Sequence, residues 1–392
     1  MNNYIENGYM ICKSIGNSLN LKDNKPEKCN TKEDIDSRIN FLIAHNLVTS
    51  LDIVVDKNDL TSLLDKDERK KINDRVNQAV FRQFKCDMMS DNISKSLSEN
   101  SVRHIVLKGT EFKRFYPDNM VRTSSDIDVY VSPSDEKNAD KVLGGMGFIF
   151  DKNFENVVFS YKKEPRYYVE LHTDMEGFSA KQKSILQALT DNASRVCSEK
   201  YSLNDNDFYI YSLFHLYKHF VSSGAGVKMF LDIYLIRKKG ALDYEYIVPI
   251  LDELGIQGFE QAVTKINNHL FEDALADDDI KDVVEFIFDS GTFGKVSNNR
   301  HLSKINAKAT SVKRWDQMKT NYGVGFDAMK KRYPVLERFP ALYPFSFIHR
   351  FFNGIIHKRD VIKSAAERER SISKDRVDRY NKILKIMQIN IQ

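Results

Sequence analysis

Cysteines and long apolar runs are both scarce in this chain of 392 residues. The cysteines lie far apart and form no C-x-x-C pair, which argues against a disulfide framework and against a zinc knuckle. They are Cys12, Cys29, Cys86 and Cys197. No apolar run approaches the roughly 18 residues that a transmembrane helix needs, and the N-terminal residues lack the basic and apolar regions of a secretory signal. These absences favour a cytoplasmic protein with reduced thiols and no transmembrane segment.

Proline and glycine are also few. The 8 prolines and 17 glycines stand against 25 phenylalanines and 18 tyrosines. Because aromatic side chains supply surface to bury, this composition argues against disorder and against collagen-like sequences. At about 150 residues per domain, the length predicts two or three domains.

The formal net charge of +4 conceals an uneven distribution. From Arg300 to the end the charged side chains sum to +13, and the first 299 residues carry −9. A basic C-terminal third is typical of contact with nucleic acid, an anionic membrane or a polyphosphate, and equally of a solvated helical surface. The Phe-rich segment 339–356 would contact a membrane peripherally, form a docking surface for the acceptor or pack internally, and we favour internal packing. Trp315 offers a stacking surface for a base.

The hydrophobic pattern divides the chain into three regions. Residues 1–100 predict an N-terminal helical region, and residues 179–392 predict a C-terminal helical domain with a basic tail. Between them, residues 101–178 predict an α/β core, with strands expected at 104–107, 126–131, 157–161 and 167–172. The clearest C-terminal helices are expected at 207–221 and 227–237. The predicted fold class is therefore α+β, with a mixed sheet flanked by helical regions.

Three carboxylates stand at alternating strand positions. Asp126 and Asp128 flank Ile127, so both emerge on one face of the predicted strand. Glu170, between two apolar residues, shares a face with His172. If the two strands are neighbours, the carboxylates converge at one edge of the sheet. Divalent cations would relieve their repulsion, and Mg²⁺ prefers such oxygen ligands.

A strand-to-helix turn precedes these carboxylates. At Gly109 and Thr110 the backbone amides can approach a phosphate closely, and the start of a helix adds partial positive charge. Lys108 and Arg122 bracket the turn. They would neutralise a triphosphate or form ion pairs with the three acids.

The ordered set of motifs resembles a known family. Its pieces are Val106-Leu107-Lys108-Gly109, Arg122, Ser125-Asp126-Ile127-Asp128 and Glu170-Leu171-His172, followed by His215, His219, Leu231-Asp232-Ile233 and, more faintly, Gly-Thr-Phe-Gly at 291–294. The pattern is similar to the uncharacterised nucleotidyltransferase family 5 branch of the polymerase-β-type nucleotidyltransferase superfamily. The resemblance implies a polymerase-β-like core at residues 101–178.

The resemblance also implies a role for each matching residue. Asp126, Asp128 and Glu170 would be the catalytic residues and the ligands of two Mg²⁺ ions, for which Mn²⁺ is a possible substitute. The nucleotide-binding residues would be Lys108, Gly109, Thr110, Arg122, Ser125, His172, His215 and His219. The spacer between Thr110 and Asp126 is longer than usual for the superfamily.

The histidines admit further interpretations. His172 would contact substrate or orient Glu170. His215 and His219 stand at i and i+4 on a predicted helix, where they would form a nucleotide- or acceptor-facing wall, a packed core or a zinc site lacking an evident third ligand. Asp232 would accept a hydrogen bond from one of them.

The implied reaction is Mg²⁺-dependent transfer of a nucleoside monophosphate, with AMP from ATP favoured, to a hydroxyl or phosphate acceptor with release of pyrophosphate. The acceptor would be a small molecule, a glycan precursor, a protein or a tRNA. Two alternatives stay open: a degenerate nucleotidyltransferase fold that binds nucleotide or acts as a scaffold, and a toxin that modifies tRNA.

Overall fold

A computed structural model describes residues 3–20, 26–117, 120–154, 157–175, 177–292, 335–339, 342, 346 and 374–389. The chain divides into two compact units, of which the first comprises residues 1–295 and 386–389 and the second residues 296–385 and 390–392. The division into regions at residues 100 and 178 stays a prediction. Trp315 and most of segment 339–356 lie outside the described residues.

Helices open the first unit, as the sequence predicts. They are α1 (Asn3–Leu19), α2 (Lys32–Ala44), α3 (Leu51–Val54), α4 (Lys57–Leu63) and α5 (Lys66–Glu99). Capping boxes fix the starts of two of them. In α2 the Thr31 side chain accepts from the Asp34 amide, and in α5 Asp65 accepts from the Glu68 amide, which satisfies amides that a helix start otherwise leaves unbonded.

A seven-stranded mixed sheet follows. Its strands are β1 (His104–Val106), β2 (Ile127–Val131), β3 (Ile149–Phe154), β4 (Val158–Lys163), β5 (Tyr167–His172), β6 (Ser194–Cys197) and β7 (Lys200–Ser202), in the order β3-β4-β5-β2-β1-β7-β6. The central strands β2 and β5 run parallel, and β1 is antiparallel to β2. The mixed sheet among helices confirms the predicted α+β fold class.

The two faces of the central strands differ. On one face Ile127 and Val129 of β2 and Leu171 of β5 join a core that includes Leu97 of α5. Because side chains alternate along a strand, the intervening acids lie on the other face. All five residues of β2 are buried, so its alternation of polar and apolar residues marks two covered faces, one of them polar.

One expectation about strands is wrong, and one strand was not predicted. The helical pattern expected from Ser179 onward is interrupted by β6 and β7, of which β7 pairs in parallel with β1 and extends the sheet. Strand β3 was not predicted, because it is an edge strand in which the consecutive Ile149 and Phe150 are both exposed and no clean alternation is present. Tertiary pairing decides such short strands more than local preference does.

Further helices complete the described fold. They are α6 (Glu136–Gly145), α7 (Ala180–Asp191), α8 (Asp205–Ser223), α9 (Val227–Lys239), α10 (Tyr244–Glu253), α11 (Gln257–Phe271), α12 (Asp278–Ser290), α13 (Val335–Arg338) and α14 (Lys374–Ile386). The helices expected at 207–221 and 227–237 are confirmed as α8 and α9. No helix in the described ranges is both long and apolar enough to cross a membrane.

Candidate active site

A cavity of about 310 Å³ lies between the polar face of β2 and β5 and the helices α8 and α9. Nine of the eleven predicted site residues line it: Lys108, Gly109, Arg122, Ser125, Asp126, Asp128, Glu170, His215 and His219. Thr110 and His172 are not in its lining. One polar atom in the wall, the hydroxyl of Ser212, is buried without a hydrogen-bond partner in the described structure.

The three acids, which we call the carboxylate cluster (Asp126, Asp128 and Glu170), are placed by the pairing of two strands. Asp128 of β2 stands directly opposite Glu170 of β5 in the parallel register. Asp126 lies one residue before β2 and lines the same cavity. The sequence expectation that the acids converge if the strands are neighbours therefore holds geometrically.

Asp128 is 2% exposed and accepts two short contacts at one oxygen. Its Oδ1 lies 2.7 Å from Lys108 Nζ and 3.0 Å from His172 Nε2. Burial alone would raise the pKa of Asp128, but the Lys108 charge and the His172 hydrogen bond outweigh it and hold the pKa well below its usual range. Asp128 is therefore an anion throughout the physiological pH range.

The other two acids lack such compensation. Burial, and after it the negative charge of Asp128, raises the pKa of both Asp126 and Glu170. Lys108 and His172 thus outweigh the effect of burial at Asp128, whereas no such balance is reached at Asp126 and Glu170. Such a cluster gains from a bound cation, because a cation favours the charged form of each acid.

One group of side chains in the described residues is close enough to hold a metal ion. Candidate ligand atoms of Asp128, Glu170 and His172 all lie within 4.8 Å of one another. The group differs from the predicted ligand set, since His172 replaces Asp126. His215 and His219 do not belong to it, so the zinc interpretation of that pair finds no third ligand in this part of the chain.

Arg122 belongs to a second charged group, the paired cluster of Arg122, Asp232 and Tyr116. Arg122 donates to both oxygens of Asp232, with Nε–Oδ1 2.8 Å and Nη2–Oδ2 2.9 Å, and its Nη1 donates to the Gly109 carbonyl at 2.9 Å. The Tyr116 hydroxyl donates to Asp232 Oδ1 at 2.7 Å. The expected pairing of Asp232 with a histidine is therefore wrong, and Arg122 pairs with Asp232 instead of an acid of the carboxylate cluster.

The turn before the site has the backbone that glycine allows. Gly109 has φ of +58°, in the left-handed region, and its carbonyl faces Arg122. The segment that follows, Glu111–Phe115, is a short 3₁₀ helix. The expected helix start is therefore only one 3₁₀ segment, which weakens the contribution of a helix dipole at this turn.

His215 and His219 form a neutral wall opposite the sheet. Their ring centroids are 4.4 Å apart, and both residues line the cavity. Burial and then the Lys108 charge lower the pKa of His219 to about 4, and the same causes lower that of His215 well below its usual value. Near pH 7 both imidazoles are therefore uncharged and can donate and accept hydrogen bonds.

Sequence reasoning missed Lys228. This lysine lines the cavity and is 7% exposed. Its signal was available, since Lys228 stands at i−4 from Asp232 and therefore on the same face of α9. Asn46, which also lines the cavity, comes from a turn far away in sequence and had no comparable signal.

The chain was compared with known proteins. A family model described as an uncharacterised nucleotidyltransferase matches residues 31–272. The matched range includes both the carboxylate cluster and the paired cluster. Neither the curated proteins nor the solved structures contain a match.

Proposed function

Because the chain belongs to this nucleotidyltransferase family, we propose that it transfers a nucleoside monophosphate from an NTP to a hydroxyl or phosphate acceptor and releases pyrophosphate. The observation that carries the proposal is the carboxylate cluster, in which Asp128 and Glu170 stand in register and Asp126 lies beside them in one cavity wall. A purely structural sheet gains nothing from three partly compensated acids at one point.

The donor set fits divalent cations. Oxygen ligands suit Mg²⁺, and Asp126, Asp128 and Glu170 would hold two such ions, with Mn²⁺ as a substitute and His172 beside them. Bound metal supplies Lewis acidity to the phosphate and lowers the pKa of the attacking hydroxyl. The raised pKa values of Asp126 and Glu170 agree with a site built to receive positive charge.

The remaining steps use groups of the chain itself. The acceptor oxygen forms a bond to the α-phosphorus, the bond from that phosphorus to the bridging oxygen breaks, and pyrophosphate leaves. Glu170, which stands opposite Asp128 in the sheet, would take the acceptor proton. Once a metal cation takes the place of Lys108 beside Asp128, Lys108 would stabilise negative charge on the phosphate. Gly109, which has no side chain, would let the backbone approach the phosphates closely.

We expect ATP as the donor, with His215 and His219 contacting the base or the acceptor as neutral hydrogen-bonding groups. Lys108, Ser125, Gly109 and Thr110 would bind the phosphates, and Arg122 would act indirectly by holding the Gly109 turn. The acceptor would be a small molecule, a glycan precursor, a protein or a tRNA.

Donor binding is tested by thermal shift with ATP, GTP, CTP and UTP, each with and without Mg²⁺. At 100 times Kd the apparent stability rises by about 2.7 kcal/mol. We expect a Mg²⁺-dependent shift that Asp128→Asn removes. The matched control is Asp252→Asn, an exposed acid on α10, which should behave like the wild type.

Transfer is tested with two labels. The protein is incubated with ATP labelled at the α- or the γ-phosphate, together with small-molecule, RNA and protein fractions. The proposal requires the α label in an acceptor and the γ label in pyrophosphate. If ATP binds with Mg²⁺ but no fraction receives the label, the chain is a nucleotide-binding module and the proposed reaction is wrong.

A further inference from the structure

Lys228 is a buried cation that the reaction above does not use. It stands in the first turn of α9, is 7% exposed and lines the cavity. Its ammonium donates to the carbonyl oxygen of Thr123, in the loop that leads into Asp126.

This lysine has no acidic partner. Among the described residues no carboxylate forms an ion pair with it, and the acid one turn further along its own helix, Asp232, is bound by Arg122 and Tyr116. The position is also unfavourable for a cation, because the start of a helix carries partial positive charge. A buried unpaired charge is costly, and native structures retain one where a ligand compensates it.

The electrostatic surroundings of Lys228 also agree with a site for an anionic ligand. Burial, and after it the charge of Arg122, lowers the pKa of Lys228 to about 7, while Asp232 and Asp126 act in the opposite direction. An arriving anion would raise this pKa again, so the neutral amine would take up a proton and become an ammonium.

We infer that Lys228 forms a phosphate subsite for the part of the donor that leaves as pyrophosphate. The inference rests on the proposed function for the identity of the ligand. Its ammonium donates to Thr123, in the loop that carries Ser125 and Asp126, which we propose to bind the donor phosphates and their metal, whereas Glu170 belongs to the neighbouring strand β5. A cation there would stabilise negative charge as it moves to the leaving group.

The test is calorimetric titration with inorganic pyrophosphate in EDTA, which keeps the carboxylate cluster free of metal. In Lys228→Gln the amide can still donate to Thr123, but the charge is gone. We expect affinity to fall about 10- to 100-fold, as for loss of a charged hydrogen bond. Lys228→Arg restores the charge and should recover most of the affinity. Lys239→Met removes an exposed lysine at the other end of α9 and should change nothing.

Two further readouts separate a binding role from a structural one. Removing a buried unpaired charge should leave Tm of Lys228→Gln no lower than that of the wild type, whereas a structural role predicts a lower Tm. The wild type at pH 8 should also take up more protons on binding pyrophosphate than Lys228→Gln does, in titrations with buffers of different ionisation enthalpy.

The source of the phosphate is distinguished with ATP and AMP. If the subsite serves the donor, Lys228→Gln lowers the ratio of ATP to AMP affinity about tenfold. An unchanged ratio with weakened pyrophosphate binding assigns the subsite to an acceptor phosphate and overturns the donor assignment. Unchanged pyrophosphate binding overturns the subsite itself. Because these titrations need no metal and no acceptor, they give a result even if nucleotidyl transfer fails.

Discussion

Two groups of charged side chains at the same cavity differ in how completely their charges are paired. In the paired cluster the Arg122 guanidinium meets both oxygens of Asp232, and Tyr116 satisfies the acid further. In the carboxylate cluster Lys108 forms an ion pair with Asp128 alone, and the pKa values of Asp126 and Glu170 are raised. A buried polar network in which every group is paired makes the structure rigid. A group of acids whose charges are only partly compensated, and whose pKa values are therefore shifted, is typical of a site that binds a ligand. The first group therefore positions the site, and the second is the proposed place of chemistry.

The largest expected effect comes from breaking the paired cluster. Arg122→Met leaves the buried carboxylate of Asp232 without its cation, which should cost about 3–5 kcal/mol in free energy of unfolding. Urea denaturation measures it. Arg195→Met is the control, because its ion pair with Glu199 is largely exposed and should contribute only about 0–1 kcal/mol. Equal losses in the two variants would mean that the paired cluster has no special structural role.

A smaller loss is expected at the turn that joins the two clusters. A Cβ at Gly109 meets only ordinary contacts, the nearest being 3.5 Å from Ser124 Oγ. The cost of Gly109→Ala is therefore that of φ at +58°, about 1–2 kcal/mol. Denaturation should show this loss, and ATP affinity should fall with it. Gly144→Ala, where a Cβ meets nothing within 4 Å on α6, should not destabilise the protein.

Neutralising an acid of the carboxylate cluster should not lower the free energy of unfolding. Asp126→Asn and Glu170→Gln remove repulsion among acids, so their free energy of unfolding should equal or exceed that of the wild type while Mg²⁺-dependent ATP binding is lost. Thermal unfolding with and without Mg·ATP checks both parts. A clear loss of stability in the absence of ligand would place these acids among the structural groups.

The smallest effect is a dependence on pH. The pKa of Glu170 is raised in the folded protein, so the folded state binds more protons than the unfolded state between the ordinary and the raised value. The wild type therefore gains stability relative to Glu170→Gln as pH falls through the raised pKa. Denaturation of both proteins at several pH values measures the difference, and a difference independent of pH would contradict the sign.

The two clusters also differ in how well they can be predicted from the sequence. The carboxylate cluster follows from period-2 alternation in two short segments, so Asp128 and Glu170 were predictable once β2 and β5 were taken as neighbours. The Arg122–Asp232 contact spans 110 positions and depends on how α9 packs against the Gly109 turn, which local pattern does not encode. Strands β6 and β7 were not predicted for the same reason, because β7 depends on pairing with β1 and β6 on pairing with β7.

The most direct test of the central claim is a titration with Mn²⁺, read by electron paramagnetic resonance, in the presence and absence of ATP. The signal of free Mn²⁺ should decrease on binding to the wild type and to Asp252→Asn, more strongly with ATP, and should persist with Asp128→Asn at equal folded concentration. If Asp128→Asn binds Mn²⁺ and ATP as the wild type does, the carboxylate cluster is not the metal site and the account of it is wrong.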